Sequence, residues 1–382
     1  MYKVITVFGT RPEAIKMAPL VKTLAGLSGQ FVSKVVVTAQ HREMLDQVLS
    51  FFRIVPDYDL NIMRSRQSLT DITVRTLAGL QDIFAAEQPD MVLVHGDTTT
   101  TFAASLAAFY RQVAVGHVEA GLRTGEKYLP YPEEMNRKLT GAIADWHFAP
   151  TRWAKENLLR EGVDTDKIFV TGNTAIDALF QTVRPDFRFS SELLNRLDYS
   201  GRRVIVADAH RRENHGRPLA NICAALRETV QAQPEVELVF SVHKNPAVSE
   251  VVRSTLGGME RVHLLEPLDY VEWANLMNRA YIIVTDSGGL QEEAPSLGKP
   301  VLLLRETTER PEAIEAGTVR LVGVGQDSIA NSLQELLGDT AAYNRMAQTA
   351  NPYGDGRAAP RIAQALAYAA GYTRERPTEF SV

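Results

Sequence analysis

Short apolar runs separated by longer stretches of helical period recur along the whole chain, and that alternation restricts it to a parallel α/β architecture. A strand reached through a helical crossover pairs in parallel with its predecessor, and a parallel sheet has to be covered on both faces. In the first half, strands are expected at residues 4–8, 35–38, 91–94 and 113–116, with a fifth beginning near His147; helices are expected at 14–27 and 98–110. The pattern restarts at 204–206 and continues through 236–241, 262–265, 281–285, 301–304 and 320–322. A length of 382 residues exceeds one ordinary core, since domains average roughly 150 residues. Two α/β domains are therefore expected, 1–171 and 172–356. Thr171-Gly172-Asn173 offers a hinge between them, and residues 184–203 lack strand alternation and carry Pro185. After Gly354-Asp355-Gly356 a last helix at 358–370 has no strand to follow, so the segment 357–382 is expected to return to the first domain.

In open parallel sheets the ligand lies beyond the carboxyl ends of the strands, so the residues just after each strand carry the chemistry. After the first strand, Gly9-Thr10-Arg11-Pro12-Glu13 is a glycine turn opening a helix with a Thr10/Glu13 capping box. Capping does not account for Arg11 or Lys16, two cations near a helix N-terminus that suit an anion. His95-Gly96-Asp97-Thr98 and His117-Val118-Glu119-Ala120 each deliver a carboxylate. Asp97 is either a helix cap or a reacting group, Glu119 either a solvated loop acid or a reacting group. Glu133, opening a helix after Pro130-Tyr131-Pro132, is either first-turn acid favoured by the helix dipole or a third such group.

The second half places Asp208-Ala209-His210-Arg211-Arg212 after its first strand, an imidazole with two guanidiniums, and His243-Lys244 after the next. Thr285-Asp286-Ser287-Gly288-Gly289 then joins a strand to a helix. Two glycines and a hydroxyl there let backbone N–H groups approach phosphate oxygens. Glu293, six residues beyond Ser287, is placed to take sugar hydroxyls of a nucleotide, or else is a plain helix acid.

A formal net charge of −5 with interspersed signs gives no footprint for nucleic acid or an anionic membrane, and no stretch approaches the roughly 18 apolar residues of a membrane span. Eight histidines and one cysteine, none at metal-ligand spacing, speak against a metal, and no cofactor is expected. The single Cys223, read as core, and the lack of a secretory leader point to a soluble cytoplasmic protein.

With these loops in view, the chain resembles the bacterial non-hydrolysing UDP-N-acetylglucosamine 2-epimerases over almost its whole length. The matching motifs are Phe8-Gly9-Thr10-Arg11-Pro12-Glu13, Gln40-His41-Arg42-Glu43-Met44, Val94-His95-Gly96-Asp97-Thr98, Gly116-His117-Val118-Glu119-Ala120-Gly121-Leu122-Arg123, His210-Arg211-Arg212-Glu213-Asn214, Thr285-Asp286-Ser287-Gly288-Gly289 and Asn351-Pro352-Tyr353-Gly354-Asp355-Gly356. The resemblance implies two Rossmann-like domains of glycosyltransferase-B type with the active site in the interdomain cleft. It implies UDP-N-acetylglucosamine and UDP-N-acetylmannosamine as ligands. Ser287, Gly288 and Gly289 would contact the diphosphate with Arg11 and His210 nearby, Glu293 the ribose, and residues from Leu268 to Trp273 the uracil. Lys16, Asp97, Glu119, Glu133 and His210 match positions tied to catalysis, and Arg310 a further ligand contact.

Substrate activation at a neighbouring site lined by Gln40, Glu43 and Arg66, and a homodimer, complete the expectation. The sequence departs from the family pattern at Asp208, where relatives usually carry Thr, at Lys244, usually apolar, and at Trp273, often Phe. A carboxylate at 208 would repel a diphosphate unless Arg211 or Arg212 pairs with it. A hydrolysing epimerase and a retaining glycosyltransferase of the same architecture are the alternative activities.

Overall fold

Strands that are apolar on both faces have to be sandwiched by helices, and each half of the chain does this separately. The structure, a computed structural model, describes residues 1–40 and 42–381. His41, within the Gln40 to Met44 motif, and Val382, the last residue of the C-terminal segment, lie outside the described residues. The chain divides into two compact units, residues 1–178 with 353–381, and residues 179–352. The turn Thr171-Gly172-Asn173, read above as a hinge, falls inside the first unit, where Asn173 N–H donates to the Tyr353 carbonyl at 2.7 Å.

Unit 1 is a seven-stranded parallel sheet: β1 (Tyr2–Phe8), β2 (Phe31–Val37), β3 (Tyr58–Asp59), β4 (Met91–His95), β5 (Ala114–Val118), β6 (Trp146–Ala149) and β7 (Ile168–Val170). The order is β3-β2-β1-β4-β5-β6-β7. Val4, Ile5, Val7 and Phe8 of β1, and Met91 to Val94 of β4, are wholly buried, as a central strand of a doubly covered sheet requires. Sequence periodicity missed two strands, β3 and β7. Each is two or three residues long, too short for any period to register.

The C-terminal helix Ala358–Ala369 packs on the helix Arg11–Gly26 of the same unit, and Phe380 N–H donates to the Val170 carbonyl at 2.7 Å. Asp177 fixes the start of that helix by accepting from the N–H groups of Ala358 (3.0 Å) and Ala359 (2.8 Å). Asp177→Ala strips two orphan helix donors of their partner in a buried setting, and a loss of about 1–2 kcal/mol is expected. Urea unfolding measures it; an unchanged midpoint would show the carboxylate to be dispensable.

Unit 2 has β8 (Arg203–Asp208), β9 (Val236–Ser241), β10 (Val262–Leu265), β11 (Ile282–Thr285), β12 (Val301–Leu303) and β13 (Val319–Leu321), all parallel, in the order β10-β9-β8-β11-β12-β13. Its core includes Cys223, wholly buried in the helix Arg217–Ala232, whose thiol burial pushes up to about 12. Each sheet reverses its winding once, at β1/β4 and at β8/β11. At these switch points the crossovers leave to opposite faces and a crevice opens at the strands' carboxyl ends. No described helix is long and apolar enough to cross a membrane.

Candidate active site

At the carboxyl edge of unit 1 the loops after β1, β4 and β5 are tied into one body. Glu13 is buried and accepts from Gly9 N–H (3.1 Å) and Thr10 N–H (2.8 Å) with one oxygen. Its other oxygen accepts from the hydroxyls of Thr98 (2.7 Å) and Thr101 (3.1 Å). Burial raises the proton affinity of Glu13 while these donors oppose it, so this acid is committed to structure. Arg11 begins the helix and is partly exposed. Lys16 does not stand as a second bare cation beside it: its ammonium pairs with Glu119.

Glu119 sits just past β5 with φ at +61°, in the left-handed region that a side chain of this size enters at a cost of about 1 kcal/mol or more. Its Oε2 also accepts from Asn173 Nδ2 at 2.9 Å. Only 9% exposed, it is not the solvated loop acid of the alternative reading. His95 Nε2 lies 3.7 Å from the same carboxylate, but burial brings the imidazole down to about 4, so the ring is neutral near pH 7. Two residues on, Gly121 (φ +90°) leaves no room for a side chain: a Cβ would stand 2.2 Å from the Ala154 carbonyl oxygen. That close approach fixes the loop against the helix Arg152–Arg160.

Asp97 is not a helix cap; Thr98 takes that role, its hydroxyl accepting from Thr101 N–H at 3.1 Å. The Asp97 carboxylate instead accepts from Arg137 Nη2 at 2.5 Å, and its carbonyl from Asn136 Nδ2 at 2.9 Å. Both partners belong to the helix Glu133–Ile143, which Glu133 opens. The two adjacent acids there divide. Glu134 is wholly buried and accepts from Thr124 N–H and Gly125 N–H at 3.1 and 3.2 Å, whereas Glu133 keeps a buried Oε2 that receives no hydrogen bond among the described residues. The loops of Asp97 and Glu119 adjoin: Gly96 N–H donates to the Val118 carbonyl at 2.9 Å, and a Cβ on Gly96 would lie 3.7 Å from Glu119 Oε1. The Asp97 and Glu119 loops are thus joined, and Arg137 and Asn136 tie Asp97 to the helix that Glu133 opens.

Gln40 accepts from the Thr100 hydroxyl at 3.2 Å, while Glu43 and Arg66 are exposed, and among the described residues no hydrogen bond or ion pair joins the three.

In unit 2 the loops after β8 and β11 meet at the switch point. Asp286 is wholly buried, and its Oδ2 accepts from His210 N–H, Arg211 N–H and Asn214 Nδ2, each at 2.9 Å, which fixes the histidine loop. His210 is 41% exposed, and its Nδ1 lies 3.3 Å from both Asp208 Oδ2 and Asp286 Oδ1. Among the described residues neither Arg211 nor Arg212 pairs with Asp208: Arg211 goes to Glu213 and Glu309, and the imidazole of His210 faces Asp208 because both stand on the same turn leaving β8.

Ser287 N–H donates to the Thr285 hydroxyl at 2.9 Å, shaping the turn into Gly288 and Gly289. A Cβ on Gly288 would come within 2.9 Å of Arg310 Nη1, whereas one on Gly289 would meet open space. Arg310 bonds Glu292 (2.6 Å) and Glu309 (2.5 Å). Burial works against ionisation of Glu309, but Arg310 and Arg305 hold it down at about 2. Glu293 is partly exposed at the end of the short helix Leu290–Glu293. Leu268 and Trp273, both partly exposed, flank Asp269, which caps the helix Tyr270–Arg279.

Sequence reasoning passed over Arg137, Asn136, Asn173 and Asp286. Arg137 carried a usable signal, standing four residues after Glu133 and hence on the same helix face. Asn173, 54 residues from Glu119, carried none.

Two parallel six- or seven-stranded Rossmann-like sheets in one chain, each with polar loops gathered at its switch point, define an α/β protein of glycosyltransferase-B type. The family model for UDP-N-acetylglucosamine 2-epimerase matches residues 27–367, and the chain belongs to that family. It is 55% identical over 379 residues to the UDP-N-acetylglucosamine 2-epimerase of Bacillus subtilis strain 168, covering 99% of this chain and 98% of the relative. Among solved structures, that of the Neisseria meningitidis UDP-GlcNAc 2-epimerase bound to UDP-GlcNAc matches with a TM-score of 0.85 at 50% identity, over 95% of this chain and 99% of that one. A Staphylococcus aureus MnaA–UDP co-structure matches at 0.87 and 49%, over 100% of both chains.

Proposed function

We propose that this protein interconverts UDP-N-acetylglucosamine and UDP-N-acetylmannosamine by eliminating UDP and adding it back, supplying activated N-acetylmannosamine for cell-surface polysaccharide. The observation that carries the reading is the joining of the Asp97 and Glu119 loops in unit 1, with Asp97 tied through Arg137 to the helix that Glu133 opens, in a chain of this family. The C2 hydrogen of the sugar is not next to a carbonyl, so direct removal near neutral pH is out of reach. As the C1–O bond breaks, its electron pair leaves with UDP, and the pair of the C2–H bond becomes the C1=C2 bond of a glycal while a carboxylate takes the proton. Return of a proton to the opposite face of C2, with UDP re-adding at C1, inverts the centre. Acid and base are therefore needed on both faces of the ring, which one carboxylate cannot serve.

Lys16 and Asn173 hold Glu119 in its constrained backbone position, and Arg137 and Asn136 hold Asp97. In unit 2, His210, Ser287 and the main chain at Gly288 and Gly289 serve the departing diphosphate, where fixed donors stabilise charge developing on oxygen. Turnover in heavy water tests the route by proton NMR. UDP-N-acetylmannosamine formed from protiated substrate should carry deuterium at C2. A product that keeps its protium overturns the elimination, and free N-acetylmannosamine released with UDP replaces it with a hydrolysing reaction.

A further inference from the structure

Three polar side chains crowd the switch point of unit 2 with too few donors among them. Asp208 ends β8, Asp286 follows the neighbouring β11, and the strand register sets Asp208 beside Thr285. His210 Nδ1 stands 3.3 Å from an oxygen of each acid. Asp286 Oδ2 already takes three N–H donors, whereas Asp286 Oδ1 and Asp208 Oδ1 are buried without any hydrogen bond among the described residues. An imidazole with its only proton on Nε2 would turn a lone pair toward two carboxylates, setting acceptors against one another. A proton on Nδ1 gives both acids one shared donor. Asp286 alone would suffice to choose that tautomer. The second carboxylate adds negative charge, which favours keeping Nε2 protonated as well.

We propose that Asp208 is a positioning residue that, with Asp286, holds His210 as an imidazolium, so that Nε2–H on the opposite edge of the ring is a charged donor to the departing diphosphate. The donor role rests on the function proposed above; the protonation of the ring does not. Hydrogen bonding to Asp208 raises the proton affinity of His210 above the ordinary imidazole value, ahead of burial, which acts the other way. Asp286 is itself raised, first by burial and then by the charge of Asp208. Of the other groups facing the ring, Arg211 opposes its charge, and His243, from the loop after β9, stacks on it at 5.8 Å and 20°. The expected protein-side answer to a carboxylate beside a diphosphate is thus a cation made in place.

The test is an NMR pH titration of the full-length protein labelled at histidine, with His210 assigned from a His210→Gln sample. In Asp208→Asn the His210 midpoint should move to lower pH than in wild type. Because only the protonated ring donates from Nε2, the alkaline limb of kcat should move down with it. At a pH between the two midpoints kcat should fall in proportion to the protonated fraction lost, with KM changed less than about threefold. Asp208→Thr, uncharged but still able to accept a hydrogen bond, should behave like Asp208→Asn and carries the test if the asparagine variant fails to fold.

An unmoved midpoint in both variants overturns the proposal whether or not the enzyme epimerises. A wild type that titrates as expected but does not turn over UDP-N-acetylglucosamine faults the function instead. If stoichiometric Mn²⁺ broadens the His210 signals of the wild type and EDTA restores them, the trio is a divalent-cation site and the proposal falls.

Discussion

Glu119→Gln lowers kcat for epimerisation by about 10²- to 10⁴-fold, the range associated with loss of a positioned acid or base. The substitution is clean in this setting. Glutamine has the same shape, incurs the same left-handed backbone cost at φ +61°, and keeps an oxygen for Asn173 Nδ2. What it removes is the charge opposite Lys16 and the capacity to take a proton. UDP affinity should change less than about threefold, because His210, Ser287, Gly288 and Gly289, proposed above to serve the diphosphate, belong to the other unit. Steady-state kinetics with UDP-N-acetylglucosamine, together with calorimetric UDP binding, separate the two effects. A kcat within tenfold of wild type would remove Glu119 from the reaction.

Acidification should unfold unit 1 well before ordinary carboxylate titration is complete. Three of its histidines are buried and held neutral: His95 and His147 down at about 4 and His117 at about 3, in each case chiefly by burial. The unfolded chain binds these protons near the ordinary imidazole value of 6.5, so between pH 6.5 and 4 it holds more protons than the native state. Stability is therefore whole above pH 6.5 and is lost as the pH falls. Each pH unit costs about 1.4 kcal/mol per histidine, or roughly 4 kcal/mol for the three. At that slope a typical total of about 5–15 kcal/mol corresponds to about one to four units, and below pH 6 Asp177, whose carboxyl burial raises to about 6, offsets about one histidine's share because the folded state takes up its proton first. Scanning calorimetry between pH 7 and 4.5 should show a falling Tm. A Tm that stays level down to pH 5 would mean the imidazoles find protons inside the fold.

Much of the architecture was open to reading because buried parallel strands announce themselves as apolar runs between helices. Residues 91–94 and 236–241 need no tertiary information to be picked out. Strands β3 and β7 escaped because residues this few exist as strands only through the neighbours they pair with. The site divides the same way. Asp97, Glu119 and His210 were visible from their place after strands, and Glu133 could be separated from Glu134 only once the loop donors bonded to Glu134 were seen. Lys16 and Asp208 were read as charges facing a ligand. Lys16 instead meets Glu119 from another loop and Asp208 meets His210 two residues further along its own turn, so only the second contact lies close enough in sequence to be foreseen.

Because residues 353–381 belong with residues 1–178, the second unit is an insertion within the first. During synthesis the host cannot be finished when its own sheet emerges from the ribosome. The surface of the helix Arg11–Gly26 that receives the last helix, and the Asp177 carboxylate that anchors it, wait uncovered while some 170 intervening residues are made and can fold on their own. Maturation of the acid-bearing unit is thus timed by translation of the other.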